Sequence, residues 1–119
     1  MSPNTGAKEP EELSRMLAER LNGGDAKGAA DLYEETAVLA YPADQPVIGK
    51  DSIREIYQEM VDAGVQFGQE VAIPTVRFET LALTSTRSAD GTGVRVQVLR
   101  QQRDGSWLRI IDRPEVPRE

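Results

Sequence analysis

The sequence contains no cysteine and no histidine. Without cysteine there is neither a disulfide nor thiolate chemistry. Without histidine the chain has no usual general base, no side chain of the commonest metal-ligand type, and no group that titrates near neutrality of its own accord. Acid–base work therefore falls to Asp, Glu, Tyr, Lys or an ordered water. Aromatic residues are scarce, with one Trp, three Tyr and two Phe. Long hydrophobic runs are missing too: the stretch around Val38-Leu39-Ala40 falls far short of the roughly 20 residues that span a bilayer. The N-terminus has neither the basic nor the apolar region of a signal peptide, so a cytoplasmic location is expected.

What is present is an acidic chain of 119 residues with net charge −6. That length suits one domain, able to bury roughly two-thirds of its unfolded surface. The charge is uneven. Residues 1–63 carry 13 acids and 6 bases, a net −7, whereas residues 64–119 carry 7 acids and 8 bases, a net +1. This field disfavours nucleic acid and anionic membrane as partners. All eight bases after residue 63 are arginines, suited to ion pairing across a sheet surface or to solvated sheet edges. The excess of Arg over Lys, 11 to 3, accords with a GC-rich bacterial genome.

Residues 1–9 are polar and aperiodic and read as a disordered lead-in. Pro10, Glu11 and Glu12 suit a first helical turn, and Leu13, Met16, Leu17 and Leu21 follow at helical spacing until Asn22-Gly23-Gly24. Asp25 is an N-cap for a short second helix carrying Ala29, Ala30, Leu32 and Tyr33. Val38 to Tyr41 reads as a strand closed by Pro42. A third helix runs from about Lys50 to Ala63, with Ile53, Ile56, Tyr57, Met60 and Val61 as its stripe and Gly64 at its end. From Val65 the period becomes two. Its phase flips at Pro74, as a β-bulge or sharp bend would produce. Strands follow at Leu81 to Ser88, Val94 to Leu99 and Trp107 to Asp112. The turn Asp90-Gly91-Thr92-Gly93 and the hairpin signal Asp104-Gly105 separate them. The last strand is apolar on both faces. One layer of helices covers one sheet face, so the other face calls for a further partner, most simply a second copy of the chain.

The order helix, short helix, strand, helix and long bent strands resembles the nuclear transport factor 2-like (NTF2-like) family. That family includes SnoaL-like cyclases, ketosteroid isomerases and SgcJ/EcaC-like proteins. Leu21-Asn22-Gly23-Gly24-Asp25 with Leu32-Tyr33-Glu34-Glu35-Thr36-Ala37-Val38 resembles its entry. Gly49-Lys50-Asp51-Ser52-Ile53-Arg54-Glu55-Ile56-Tyr57 resembles the start of its third helix, and Asp104-Gly105-Ser106-Trp107 its final hairpin. The resemblance implies an α+β, cone-shaped (cystatin-like) fold over residues 10–114, with three helices on a strongly bent antiparallel sheet and a tail at 115–119. It further implies a conical apolar pocket and a homodimer through the outer sheet face. Within each strand, side-chain parity groups the residues, and the resemblance says which group is inside. Leu81, Leu83, Leu99, Leu108 and Ile110 are expected to face the pocket, with Ser85, Gln97 and Asp112 as its polar members. Tyr33, Tyr41 and Tyr57 approach from the opposite wall. Trp107, Arg109 and Ile111 are expected to meet the partner.

The activities of this family can be tested residue by residue. The base of a ketosteroid isomerase falls at Tyr41, its tyrosine donor at Leu17 and its protonated acid near Gln97. All three are changed, although Gln97 can still donate a hydrogen bond. Limonene epoxide hydrolases resemble this fold and use two aspartates with an arginine between them. Asp112 stands near one of those places, but the other falls near Ser85. The spaced pair Arg77 and Glu79 belongs to a different strand. Asp112, flanked by apolar residues at a pocket mouth, could act as acid or base, or could simply pair with Arg113, Arg87 or Arg109. Tyr41 could be a proton donor, a ligand anchor or a core tyrosine. Tyr33 and Tyr57 could be core alone. No metal site is expected, since Asp25 with Asp31 and Glu34 with Glu35 are surface carboxylate pairs. Gly91-Thr92-Gly93 lies between strands rather than before a helix, so it is not a phosphate loop. No cofactor is implied. Two readings stay open: a homodimeric module binding a small apolar ligand, and an isomerase, cyclase or hydratase with Asp112, Tyr41 and Gln97 as working groups.

Overall fold

The structure is a computed structural model that describes residues 6–41, 44–68, 70–89 and 93–114. The expected turn at Asp90, Gly91 and Thr92, the residue Pro42, the first five residues of the lead-in and the tail after Pro114 lie outside the described residues.

Helix α1 is Glu12–Asn22, α2 is Ala26–Ala30 and α3 is Lys50–Asp62. The strands are β1 Tyr33–Leu39, β2 Val47–Ile48, β3 Glu70–Phe78, β4 Leu81–Ser88, β5 Val94–Gln101 and β6 Trp107–Arg113. They form one six-stranded sheet in the order β2-β1-β6-β5-β4-β3. Leu13 and Leu21 are the buried residues of α1, and Ile53 and Tyr57 those of α3. They pack with Leu32, Tyr33, Leu39, Leu99 and Trp107 in one apolar core. Asp25 caps α2, its side chain accepting from the backbone N–H of Gly28 at 2.8 Å. Gly64 follows α3 with φ +77°, a left-handed conformation open to glycine at no steric cost. Among the described residues no helix is long and apolar enough to cross a membrane.

The phase flip at Pro74 is a register shift between Ile73 and Val76 in the pairing of β3 with β4. A second irregularity has no proline to announce it. Leu99 pairs with Arg109, yet its neighbour Val98 pairs with Ile111, so Ile110 is an extra residue in β6. Such bulges kink and twist the strands that carry them.

The structure corrects four expectations. The sheet is not wholly antiparallel: β1 runs parallel to β6, a pairing possible because a helix and four strands intervene between them in the chain. The second helix stops at Ala30, and Tyr33 opens β1 instead. The run Tyr33-Glu34-Glu35-Thr36-Ala37-Val38 gains more from ladder bonds and the burial of Tyr33 than from extending a five-residue helix. The strand ends at Leu39, short of Tyr41. The lead-in is not loose as far as residue 9: Ala7 is fully buried and bridges Trp107, whose N–H donates to the Ala7 carbonyl at 2.9 Å. One alanine in a polar segment carries no periodic signal, and only the fold supplies its partner.

Candidate functional site

Between the helices and the inner sheet face lies a cavity of about 620 Å³, within the range typical of small-molecule sites. Leu17 and Ser14 of α1, Tyr57 and Met60 of α3, and Leu39 and Tyr41 at the end of β1 form one side of its wall. Glu70, Ala72, Thr86, Arg95, Gln97, Arg109 and Asp112 contribute from the sheet. Phe67 and Gly68 close part of the rim. Phe67 is held there by one side chain: Asn22 Nδ2 donates to its carbonyl at 2.9 Å, and its N–H donates to Asn22 Oδ1 at 2.8 Å. The amide of Asn22 thus mimics a strand partner.

A buried polar network underlies the cavity. Arg109 Nη1 donates to Asp112 Oδ2 at 2.9 Å, and both side chains are almost wholly buried. Tyr33 Oη donates to the same oxygen at 2.5 Å. That spends the single phenolic proton of Tyr33. The 2.6 Å contact between the two tyrosine hydroxyls must therefore be a donation from Tyr57 to Tyr33. Arg109 also reaches Tyr33 Oη at 3.2 Å and, through Nη2, Ser14 Oγ at 3.0 Å. Asp112 Oδ2 thus has two donors, while Asp112 Oδ1 and Arg109 Nε have no hydrogen-bond partner.

The charges and burial set the protonation states. Burial first, and then the negative charge of Asp112, push the phenol of Tyr33 well above the ordinary 10.0. The same two causes raise Tyr57. Burial works against the charge on Arg109, but Asp112 and the two tyrosines outweigh it and raise its pKa further. Both tyrosines are therefore fixed proton donors and Arg109 a fixed cation. Nearer the rim, Arg95 Nε pairs with Glu70 Oε2 at 2.7 Å, and Thr86 Oγ1 donates to Glu70 Oε1 at 2.6 Å. Gln97 accepts from Thr84 Oγ1 at 2.7 Å through Oε1.

No protein-family profile and no curated protein matches the chain. Solved structures do. A protein of unknown function from Mycobacterium tuberculosis superposes with TM-score 0.72 at 20% identity, over 92% of this chain and 74% of that one. A ketosteroid isomerase-like protein from Erwinia carotovora atroseptica superposes with TM-score 0.66 at 19% identity, over 90% and 94%. An NTF2-like protein with a cystatin-like fold from Novosphingobium aromaticivorans superposes with TM-score 0.63 at 16% identity, over 86% and 75%. The chain has the NTF2-like fold. At these identities the likeness is one of fold, and the NTF2-like fold carries many unrelated activities.

Of the residues expected at the site, this NTF2-like cavity brings together Asp112, Gln97, Tyr41, Tyr57 and Leu17. Tyr33 lies beneath its wall, joined through Asp112. Tyr41 stands at the rim, 44% exposed, and is not a core tyrosine. Asp112 pairs with Arg109, one of the three bases expected for it, and both side chains are buried. Leu99 is buried in the core without reaching the cavity.

The assignment of faces needs correction. On β4 the inward residues are Ala82, Thr84 and Thr86, so Leu81, Leu83 and Ser85 face outward. Leu108 and Ile110 do not line the cavity either. Trp107 and Arg109, expected at a partner surface, are buried inside. Trp107 carries the Arg77 guanidinium 5.6 Å over its ring. The resemblance puts the other parity of β4 inside, whereas the register that sets Thr84 against Gln97 brings Ala82, Thr84 and Thr86 in. The place opposite Asp112 in the two-aspartate pattern, Ser85, faces away, so the carboxylate has no acidic counterpart there. The residues missed were Ser14, Asn22, Phe67, Glu70, Arg95 and the inward role of Arg109. The one sequence signal for the last is Arg109-Ile110-Ile111-Asp112, in which two adjacent isoleucines break strand alternation between opposite charges.

Proposed function

We propose that the protein binds a small, largely apolar ligand in this cavity and does so without chemistry, as a homodimer through its outer sheet face. The carrying observation is that the inner charges are already spoken for. Arg109 is paired with Asp112 and Arg95 with Glu70, and the tyrosines are held protonated. The carboxylate that stands beside the Gln97 amide, Asp112, is tied through Oδ2 to Arg109 and Tyr33, and Tyr41 stands at the rim. The outer face supports the dimer. Val71, Val76, Phe78, Leu83 and Ile111 are all exposed large apolar residues, and all but Ile111 stand on the adjacent strands β3 and β4. Monomers rarely expose so much contiguous apolar surface.

One observation favours a second reading, an isomerase, cyclase or hydratase using Asp112 with Tyr41. Asp112 Oδ1 is a carboxylate oxygen at the cavity with no protein donor.

The test is an NMR titration with neutral bicyclic hydrocarbons and alcohols. Amides of Leu17, Tyr57 and Phe67 are expected to shift, and Met60→Trp, which fills the cavity, to abolish the shifts. Shifts confined to the outer sheet face would overturn the reading. Turnover of a bound alcohol that disappears in Asp112→Asn would favour the enzyme.

A further inference from the structure

The cavity wall also constrains the chemistry of its ligand, an inference that rests on the cavity being a ligand site. Three features set the constraint. The first is neutrality. The charges on the sheet side pair as Arg109 with Asp112 and Arg95 with Glu70, and those that α1 and its first turn bring to the cavity are paired as well, Arg15 with Glu19 and Glu11 with Arg77. A charged ligand group would leave one of them in excess inside a poorly solvated space, at a cost greater than a neutral group incurs.

The second is a complementary pair of hydrogen-bonding groups. Asp112 Oδ1 is buried and accepts nothing from the protein. Buried acceptors are almost always satisfied, so an orphaned carboxylate oxygen beside a cavity calls for a donor. Gln97 is the cross-strand partner of Asp112, and its Oε1 is occupied by Thr84. Among the described residues its amide nitrogen makes no hydrogen bond, leaving a donor beside the orphaned acceptor. The third is room. Asp112 and Gln97 are each only 2% exposed, so the group that reaches them must be slender. A hydroxyl donates, accepts, is neutral and is slender. Leu17, Met60, Phe67 and Ala72 give the cavity an apolar stretch of wall for the body of such a ligand.

We propose that the cavity takes a neutral alcohol or phenol with an apolar body, its hydroxyl donating to Asp112 Oδ1 and accepting from Gln97 Nε2.

Calorimetric titrations with naphthalene, 2-naphthol, 2-methoxynaphthalene, 2-naphthoate and 2-naphthylmethylammonium separate the contributions. 2-Naphthol is expected to bind at least about tenfold tighter than naphthalene and than either ion, the scale of a hydrogen bond to a charged group. Capping the hydroxyl as the methyl ether is expected to remove that advantage while keeping the oxygen. In Asp112→Asn, and independently in Gln97→Met, the preference for 2-naphthol over its ether is expected to shrink. Because the ether arm uses the unaltered protein, it decides the matter even if a variant fails to fold. Equal affinity for naphthol and its ether, tighter binding of either ion, or a folded Asp112→Asn that keeps the preference would overturn the hydroxyl assignment. Naphthalene would still bind in those cases, and the apolar-cavity reading would stand. Binding of none of the five would overturn both.

Discussion

Arg109 and Asp112 are three residues apart on one strand, yet their side chains meet at 2.9 Å inside the molecule. On a regular strand residues i and i+3 point to opposite faces. The extra residue Ile110 resets the alternation, so that a cation and an anion that would straddle the sheet share its inner side. The Arg109–Asp112 contact within the polar network depends on that one inserted residue.

Breaking the pair from one side leaves a buried, uncompensated charge. Arg109→Met or Asp112→Leu is expected to cost about 3–5 kcal/mol, whereas the double variant, with apolar packing on both sides, should recover most of the loss. Urea denaturation of the wild type, both singles and the double checks this. Additive losses would show that the pair is not coupled.

High pH tests the tyrosines. Tyr33 and Tyr57 both ionise above 10.0 when folded. Below pH 10 both states hold the proton and there is no pH slope from these groups. As pH rises past 10 the unfolded chain releases protons that the folded one retains, so stability falls. Tyr33→Phe combined with Tyr57→Phe is expected to flatten the stability profile between about pH 10 and 11.5. An unchanged slope would contradict the buried hydrogen-bonded geometry.

The cap of α2 offers a coupling experiment. A Cβ placed on Gly28 would lie 2.1 Å from Asp25 Oδ2, the side chain that caps the helix. Asp25→Ala should cost about 1 kcal/mol. Gly28→Ala should be nearly neutral alone, its helix-propensity gain of about 1 kcal/mol offset by the displaced cap. In the Asp25→Ala background the same change should stabilise by about 1 kcal/mol. Thermal unfolding of the four proteins gives the cycle.

Asn22→Ala removes both hydrogen bonds that hold Phe67 at the rim. At about 1 kcal/mol per bond, the Phe67 amide is expected to exchange at least about fivefold faster, while amides in α3 are unaffected. Hydrogen-exchange mass spectrometry or NMR reads this directly, and uniform acceleration throughout the chain would point to global destabilisation instead.

If the outer sheet face meets a second copy, Leu83→Glu and Val76→Lys should each yield monomers in light-scattering chromatography without loss of the far-UV spectrum. A wild-type protein that is already monomeric at high concentration would remove the dimer from the proposal.

Local chemistry was enough to read most of the elements, though not where α2 gives way to β1. Asp25 before a short alanine-rich helix, Gly64 after a long amphipathic one, the proline at a phase flip and the Asp-Gly hairpin each act over a few residues, so their meaning survives without the fold. The fold class followed from their order. Facing did not. Leu81 and Leu83 are greasier than Ala82 and Thr84, and alternation alone cannot reveal that the smaller pair is buried and the leucines lie on the open side. Nor could parity be carried through β6, where one extra residue, marked by no proline, puts Trp107, Arg109 and Asp112 on the same side. Within an unbroken stretch of strand the sequence determines which residues share a face. Which face is inner, and where the count is reset, depends on contacts between segments far apart in the chain, and only the assembled sheet and its helices supply those.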